Sequence, residues 1–146
     1  MPPLLSLRRL GRRAFVPVFA LSLGCGDPTV SIAGDVIPGS YQAISFRVTP
    51  TGQPMVDVLA AGGSLSVVIA TDSSMTGTLV LPAGLLTANA TSTSMAGQLR
   101  QRSDGTYWFA QNENTFMREL IWQQFTDSFV TTSLLNGVQF QITLKK

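Results

Sequence analysis

Few residues in this chain could support catalysis. It contains one cysteine, Cys25, and no histidine among its 146 residues. The lack of histidine removes the commonest general base near neutral pH and the commonest ligand of transition metals. Half of the carboxylates, Asp72, Asp104, Glu113 and Asp127, lie in predicted turns, where such side chains usually accept hydrogen bonds from backbone amides. We therefore predict no catalytic residue, cofactor or metal site, and we expect the protein not to be an enzyme.

Cys25 follows a segment that has the order of an export signal. Arginines at positions 8, 9, 12 and 13 precede an apolar run from Ala14 to Gly24. A charged start, a short apolar region and small residues at its end are typical of a signal peptide. The run is too short for a membrane-spanning helix, which needs about twenty residues. The sequence therefore predicts a signal peptide over residues 1–24.

The end of this segment, Leu21-Ser22-Leu23-Gly24-Cys25, resembles the lipobox of bacterial lipoproteins. The resemblance implies that the chain is cut before Cys25 and that a lipid attached to this cysteine anchors the protein in a membrane. Lipoproteins kept at the inner membrane often carry Asp after the cysteine, whereas here Gly26 follows and Asp27 comes one position later. The implied location is the bacterial cell envelope, at the periplasmic face of the outer membrane.

The export route stays open. The stretch Gly11-Arg12-Arg13-Ala14-Phe15-Val16 resembles a twin-arginine signal, which exports folded proteins. It also fits the basic start of a general secretory signal.

Removing the signal changes the charge balance. Four of the ten basic residues lie in the signal, so six basic and eight acidic residues remain, with a net charge of −2. The mature chain therefore has no basic excess, and no nucleic-acid partner is predicted.

Residues 25–38 contain Pro, Gly and Asp without periodicity and are predicted to form a flexible tether. Residues 39–146 are predicted to form one domain. Since Cys25 is the only cysteine, no disulfide within the chain can stabilise it.

Alternation with period two predicts strands from Gly39 onward. Ile44, Phe46 and Val48 are expected to share the inner face of the first strand. Asp104-Gly105 and Asn136-Gly137 are strong signals for hairpin turns, because these residues tolerate positive φ. Successive hairpins predict an all-β fold, an eight-stranded antiparallel up-and-down barrel in which closure removes exposed strand edges.

Residues 115–125 permit two interpretations. Phe116, Met117, Leu120, Ile121 and Phe125 fit one face of a helix. The aromatic and branched residues favour a strand, as do the neighbouring hairpins, and we predict a strand here.

Four short motifs between Gly39 and Leu144 resemble the lipocalin-like group of small bacterial envelope barrels. They are Gly39-Ser40-Tyr41, Gly62-Gly63-Ser64-Leu65, Asp104-Gly105-Thr106-Tyr107 and Phe116-Met117-Arg118-Glu119-Leu120. The resemblance implies an eight-stranded meander barrel of a kind that can hold a small apolar molecule.

The aromatic residues of the domain could form a filled core or a ligand pocket. The interior of an eight-stranded barrel is just wide enough to be filled by side chains or to hold one small ligand. If there is a pocket, we expect it to be lined by residues that point inward from different strands, namely Phe46, Leu79, Leu99, Tyr107, Phe109 and Phe140. The facing of Tyr107 and Phe109 depends on whether Trp108 points outward.

Two functions are compatible with these features. The first is a lipid-anchored envelope barrel that binds a small hydrophobic molecule or serves as a scaffold. The alternative is a non-enzymatic interaction module that docks another envelope protein through an exposed strand or an aromatic patch, for which a contiguous apolar surface would be the sign.

Overall fold

A computed structural model describes residues 37–146. The predicted signal peptide, Cys25 and all but the last two residues of the predicted tether lie outside the described residues.

Alternating sequences separated by turn residues form nine strands and one short 3-10 helix, η1, within residues 37–146. The strands are β1 (Gly39–Pro50), β2 (Val56–Asp57), β3 (Ser64–Ile69), β4 (Ser74–Leu81), β5 (Thr91–Gln101), β6 (Tyr107–Gln111), β7 (Gln123–Gln124), β8 (Ser128–Leu135) and β9 (Val138–Lys145), and η1 spans Phe116–Glu119.

All strand pairs are antiparallel and lie in one sheet. The sheet runs in the order β6-β5-β4-β3-β1-β9-β8-β7, and β2 is a two-residue addition to β1. Its two outer strands meet at one bridge, where Tyr107 and Trp122 exchange two backbone hydrogen bonds of 2.8 Å. The fold is therefore an all-β, nearly closed, eight-stranded up-and-down barrel, as predicted.

The two predicted hairpin turns both form. Gly105 has a φ of +83°, and its amide donates to the carbonyl of Arg102. Asn136 and Gly137 have φ values of +50° and +78°, which is the pattern of the type I′ turn that matches the twist of paired strands. This turn fixes the register of β8 against β9, with Leu135 opposite Val138.

The core lies inside the barrel, where alternate residues of the strands meet. Leu65, Val67 and Ile69 of β3 are buried there, since alternate residues of a strand share one face. On β6, Tyr107 and Phe109 point inward and Trp108 is only half-buried, which settles how this strand faces.

The prediction for the inner face of the first strand is wrong at one residue, Ile44. Phe46 and Val48 are buried, but the side chain of Ile44 is 60% exposed. The register of β1 against β9 shifts between Ala43 and Ser45, so a β-bulge interrupts the alternation at Ile44. The inner face resumes on the far side of the bulge with Tyr41.

The prediction of a strand over residues 115–125 is wrong for its first half. Phe116–Glu119 forms η1, and pairing begins only at the bridge of Trp122 and at β7. Met117 is fully buried, and Phe116 stacks on Phe140 with 4.6 Å between ring centroids. The turn of η1 lets consecutive side chains pack against the barrel interior, which an extended strand would direct to opposite faces.

Candidate functional site

The six predicted lining residues meet inside the barrel. They come from β1, β4, β5, β6 and β9 and belong to one continuous core. The structure buries all of them, namely Phe46, Leu79, Leu99, Tyr107, Phe109 and Phe140. That they bind a ligand stays a prediction.

Aromatic rings fill much of this interior. Phe129 is the hub, because its ring centroid lies 5.2 Å from that of Tyr41, 5.9 Å from Tyr107 and 6.3 Å from Phe109. Trp122 packs against Phe109 at 5.1 Å. Phe46 and Phe109 are 0% and 1% exposed, so almost no water-sized space adjoins them. A ligand at these rings would have to displace side chains.

Three polar side chains are buried with this core. Gln111 donates from Nε2 to the hydroxyl of Thr115 at 2.6 Å, while its Oε1 has no partner among the described residues. The indole nitrogen of Trp122, Nε1, is also buried without a hydrogen-bond partner in residues 37–146. The hydroxyl of Thr131 lies 2.9 Å from that of Ser133. Unpaired buried donors and acceptors are costly, so Trp122 and Gln111 mark places where a small polar group would be stabilised.

The ionisable groups with shifted pKa values have structural roles. Hydrogen bonds from Ser74 and from Thr106 lower the pKa values of Asp72 and Asp104. Both carboxylates cap turns, as predicted from their positions. Burial, and then the charge of Asp127, raise the pKa of Tyr41, whose hydroxyl donates to the carbonyl of Ile37 at 2.7 Å. Asp72 lies in the turn between β3 and β4, Asp104 in the turn between β5 and β6, and Tyr41 on β1.

A groove opens on the outer surface where β7 stops pairing with β8. We call it the seam groove; it has a volume of about 410 Å³ and is lined by Thr106, Glu119, Ile121, Gln123, Val130, Thr132, Ser133 and Leu134. Its apolar walls are highly accessible, since Ile121 is 41% exposed and Leu134 is 76% exposed. Phe125, 54% exposed, lies further along the same hairpin.

None of these groove residues was among the predicted site residues. The sequence of β8 nevertheless contains a signal. Phe129 and Thr131 point inward, so Val130 and Leu134 lie on the outward face of the strand. Two apolar residues on the solvent face of a strand are a departure from the alternation expected of a barrel.

A second depression, of about 460 Å³, lies beside β6 and is lined by Arg100, Trp108, Ala110, Gln111, Asn112, Arg118 and Glu119. The buried Nε of Arg100 has no hydrogen-bond partner in the described part of the chain.

Two kinds of feature are absent from residues 37–146. No helix there is long and apolar enough to cross a lipid bilayer. No three His, Cys, Asp or Glu side chains in that range lie close enough together to hold a metal ion. Comparison with protein-family models, with curated proteins and with solved structures finds no match for the chain.

Proposed function

We propose that this protein is a non-catalytic, lipid-anchored lipoprotein of the bacterial cell envelope, whose lipocalin-like barrel docks another envelope protein through the outer surface at the seam groove. The anchor rests on the lipobox-like residues that end at Cys25. The docking role rests on one observation. Of the six large apolar side chains that are exposed in residues 37–146, three lie in or next to β7 and β8, namely Ile121, Phe125 and Leu134, and two of these, Ile121 and Leu134, line this groove.

The packed interior supports this choice between the two candidate functions. A barrel that binds a ligand inside needs room at its inward side chains, and Phe46 and Phe109 have almost no accessible surface. Apolar side chains concentrated on one outer face are typical of protein contact surfaces.

Site-specific crosslinking in cells tests the docking role. A photo-crosslinking residue at position 132, in the seam groove, should give a discrete higher-mass adduct. The same residue at position 76, on the exposed face of β4, serves as the control and should give none.

The substitution Leu134→Asp should abolish the adduct, because it places a charge in the contact. Val68→Asp, at another exposed apolar residue, should not. No adduct at position 132, or equal adducts at both positions, would exclude docking through this face.

We propose, as a second candidate, that the interior takes up a small apolar molecule carrying one hydrogen-bond acceptor. The supporting observation is the buried Nε1 of Trp122, which has no hydrogen-bond partner in the described residues and whose ring packs against the predicted lining residue Phe109. Native mass spectrometry of the gently extracted protein should then show a bound small molecule, and a fluorescent fatty acid should bind. Trp122→Phe should weaken that binding, because it keeps the aromatic packing and removes the donor. Absence of both signals would exclude this candidate.

A further inference from the structure

The backbone of β8 has unused hydrogen-bonding groups in the seam groove. In an antiparallel hairpin, alternate residues exchange both backbone hydrogen bonds with the partner strand, and the residues between them point their amides and carbonyls to the other side. The two-residue turn puts Leu135 and Val138 in a hydrogen-bonded pair, so Ser133 and Thr131 also bond to β9. The amides and carbonyls of Thr132 and Leu134 therefore point away from β9 and into the seam groove.

These groups have no partner within residues 37–146. On the same side of β8, Ser128 pairs with Phe125 and Val130 pairs with Gln123, where β7 begins. The next residue in register, Ile121, donates its amide to the side chain of Ser133 at 3.5 Å, and it makes no backbone hydrogen bond with Thr132.

The neighbouring segment is held away from β8 by its pairing with β6. Trp122 exchanges two hydrogen bonds of 2.8 Å with Tyr107, and its side chain is fully buried against Phe109. The chain before Trp122 therefore follows β6 toward η1, and the sheet opens along the second half of β8. The result is a short exposed strand edge inside an otherwise nearly closed barrel, which is a template for pairing with another strand.

The chemistry of the seam groove favours an extended polypeptide as its occupant. Two donor–acceptor pairs lie two residues apart, at a spacing of about 7 Å. That is the repeat of a strand, whereas a helix uses its backbone groups internally. Two exposed apolar side chains, Ile121 and Leu134, line the same groove.

The charge of the seam groove indicates which residue types that polypeptide should contain. Glu119 is the one ionisable side chain among its lining residues, and it is exposed. It forms no ion pair within the described chain. A lysine or arginine in the bound segment would complement it, with apolar residues at alternate positions to cover Ile121 and Leu134.

We propose that β8 accepts an extended segment of a partner protein as an added strand, hydrogen-bonded to Thr132 and Leu134, with alternating apolar residues and one basic residue opposite Glu119. This binding mode rests on the proposed docking function and specifies how the partner would be held.

Peptide binding to the full-length chain in detergent tests the proposal. The probe is a ten-residue peptide selected from a displayed library in which apolar and polar residues alternate and one position is lysine. Binding should slow hydrogen exchange at the amides of Thr132 and Leu134 at least tenfold. The amide of Ser133, already bonded to β9, provides the internal control and should change little.

Two series of variants separate strand addition from apolar contact. N-methylation of the peptide at alternate residues should weaken binding at least tenfold in one register and leave it unchanged in the other. Leu134→Pro, which removes the amide, should weaken binding at least tenfold more than Leu134→Ala, which retains it. Melting temperatures of both variants should confirm that each is folded.

The outcomes distinguish this proposal from the docking function. If no library peptide protects these amides, or if N-methylation acts equally in both registers, strand addition is wrong even where crosslinking at position 132 succeeds. If peptides bind as described but cells give no adduct at position 132, the added strand is supported and the envelope docking function is wrong. Protection of the same amides without peptide, accompanied by dimer formation, would assign the edge to a second copy and overturn the proposal.

Discussion

Phe129 and Phe125 are the same residue type on one hairpin, yet one is fully buried and the other is 54% exposed. Phe129 contacts the rings of Tyr41, Tyr107 and Phe109. We expect Phe129→Ala to lower the free energy of unfolding by about 3–5 kcal/mol, through lost burial and the cavity that remains. Phe125→Ala is the matched control and should change it by less than about 0.5 kcal/mol. Chemical denaturation measures both, and equal losses would contradict the assignment of Phe129 as the centre of the core.

Asp104 provides a pH-dependent test at the same scale. Its carboxylate accepts hydrogen bonds from the hydroxyl and the amide of Thr106, at 2.6 and 2.9 Å, and these lower its pKa below the ordinary value of 3.8. A lowered pKa in the folded state means that the contribution to stability is present above pH 3.8 and is lost as the pH falls through the lowered value.

Asp104→Ala should therefore lower the melting temperature at pH 7, and the difference from the unchanged chain should shrink in acid. Glu119→Ala serves as the control, because that exposed carboxylate has no hydrogen bond or ion pair within residues 37–146. A melting-temperature difference for Asp104→Ala that is constant from pH 7 to pH 3 would show that the carboxylate does not stabilise the turn.

At the scale of elements, close approach of neighbouring strands depends on glycine. A Cβ at Gly97 of β5 would overlap the carbonyl oxygen of Ala110 on β6. Gly97→Ala should destabilise the domain by about 1–3 kcal/mol, because backbone cannot move aside without breaking the ladder. Ser92→Ala, at an exposed position of the same strand, should leave stability nearly unchanged. Thermal unfolding compares the two variants, and a neutral Gly97→Ala would show that the β5–β6 spacing is wrong.

The elements also show which sequence signals are local enough to be decisive. The type I′ turn at Asn136-Gly137 and the inner face of β3 were predictable, because each depends on a few neighbouring residues. η1 was not predictable, because the sequence pattern around Phe116 and Met117 fits both a helix and a strand. Their contacts with the barrel interior decide between strand and helix there, and that interior is formed by residues distant in the chain.

For the whole molecule, the sequence predicts attachment to a membrane through Cys25. Cys25→Ser should release the protein into the soluble fraction, because the side chain that would carry the lipid is gone. Fractionation of cells, with mass measurement of the purified protein, checks this outcome. A Cys25→Ser protein that stayed in the membrane fraction would mean that the anchor lies elsewhere.

Part of the candidate site could be predicted from the sequence and part could not. The six inward residues could be predicted, since alternation on separate strands places them on inner faces. The outward apolar residues of β8 also left a signal in the sequence, but the open edge of the seam groove could not be predicted, because it depends on how the barrel closes. Trp122 pairs with Tyr107, and so the preceding segment leaves β8, a competition that no local pattern records.

The sequence alone determined the all-β meander, most inner faces and the hairpin turns, because alternation and turn chemistry act over a few residues. The tertiary structure decided the bulge at Ile44, the turn of η1, the packing of the interior and the open edge of β8. Each of these depends on closing eight strands around a fixed set of side-chain volumes, which is a property of the whole barrel.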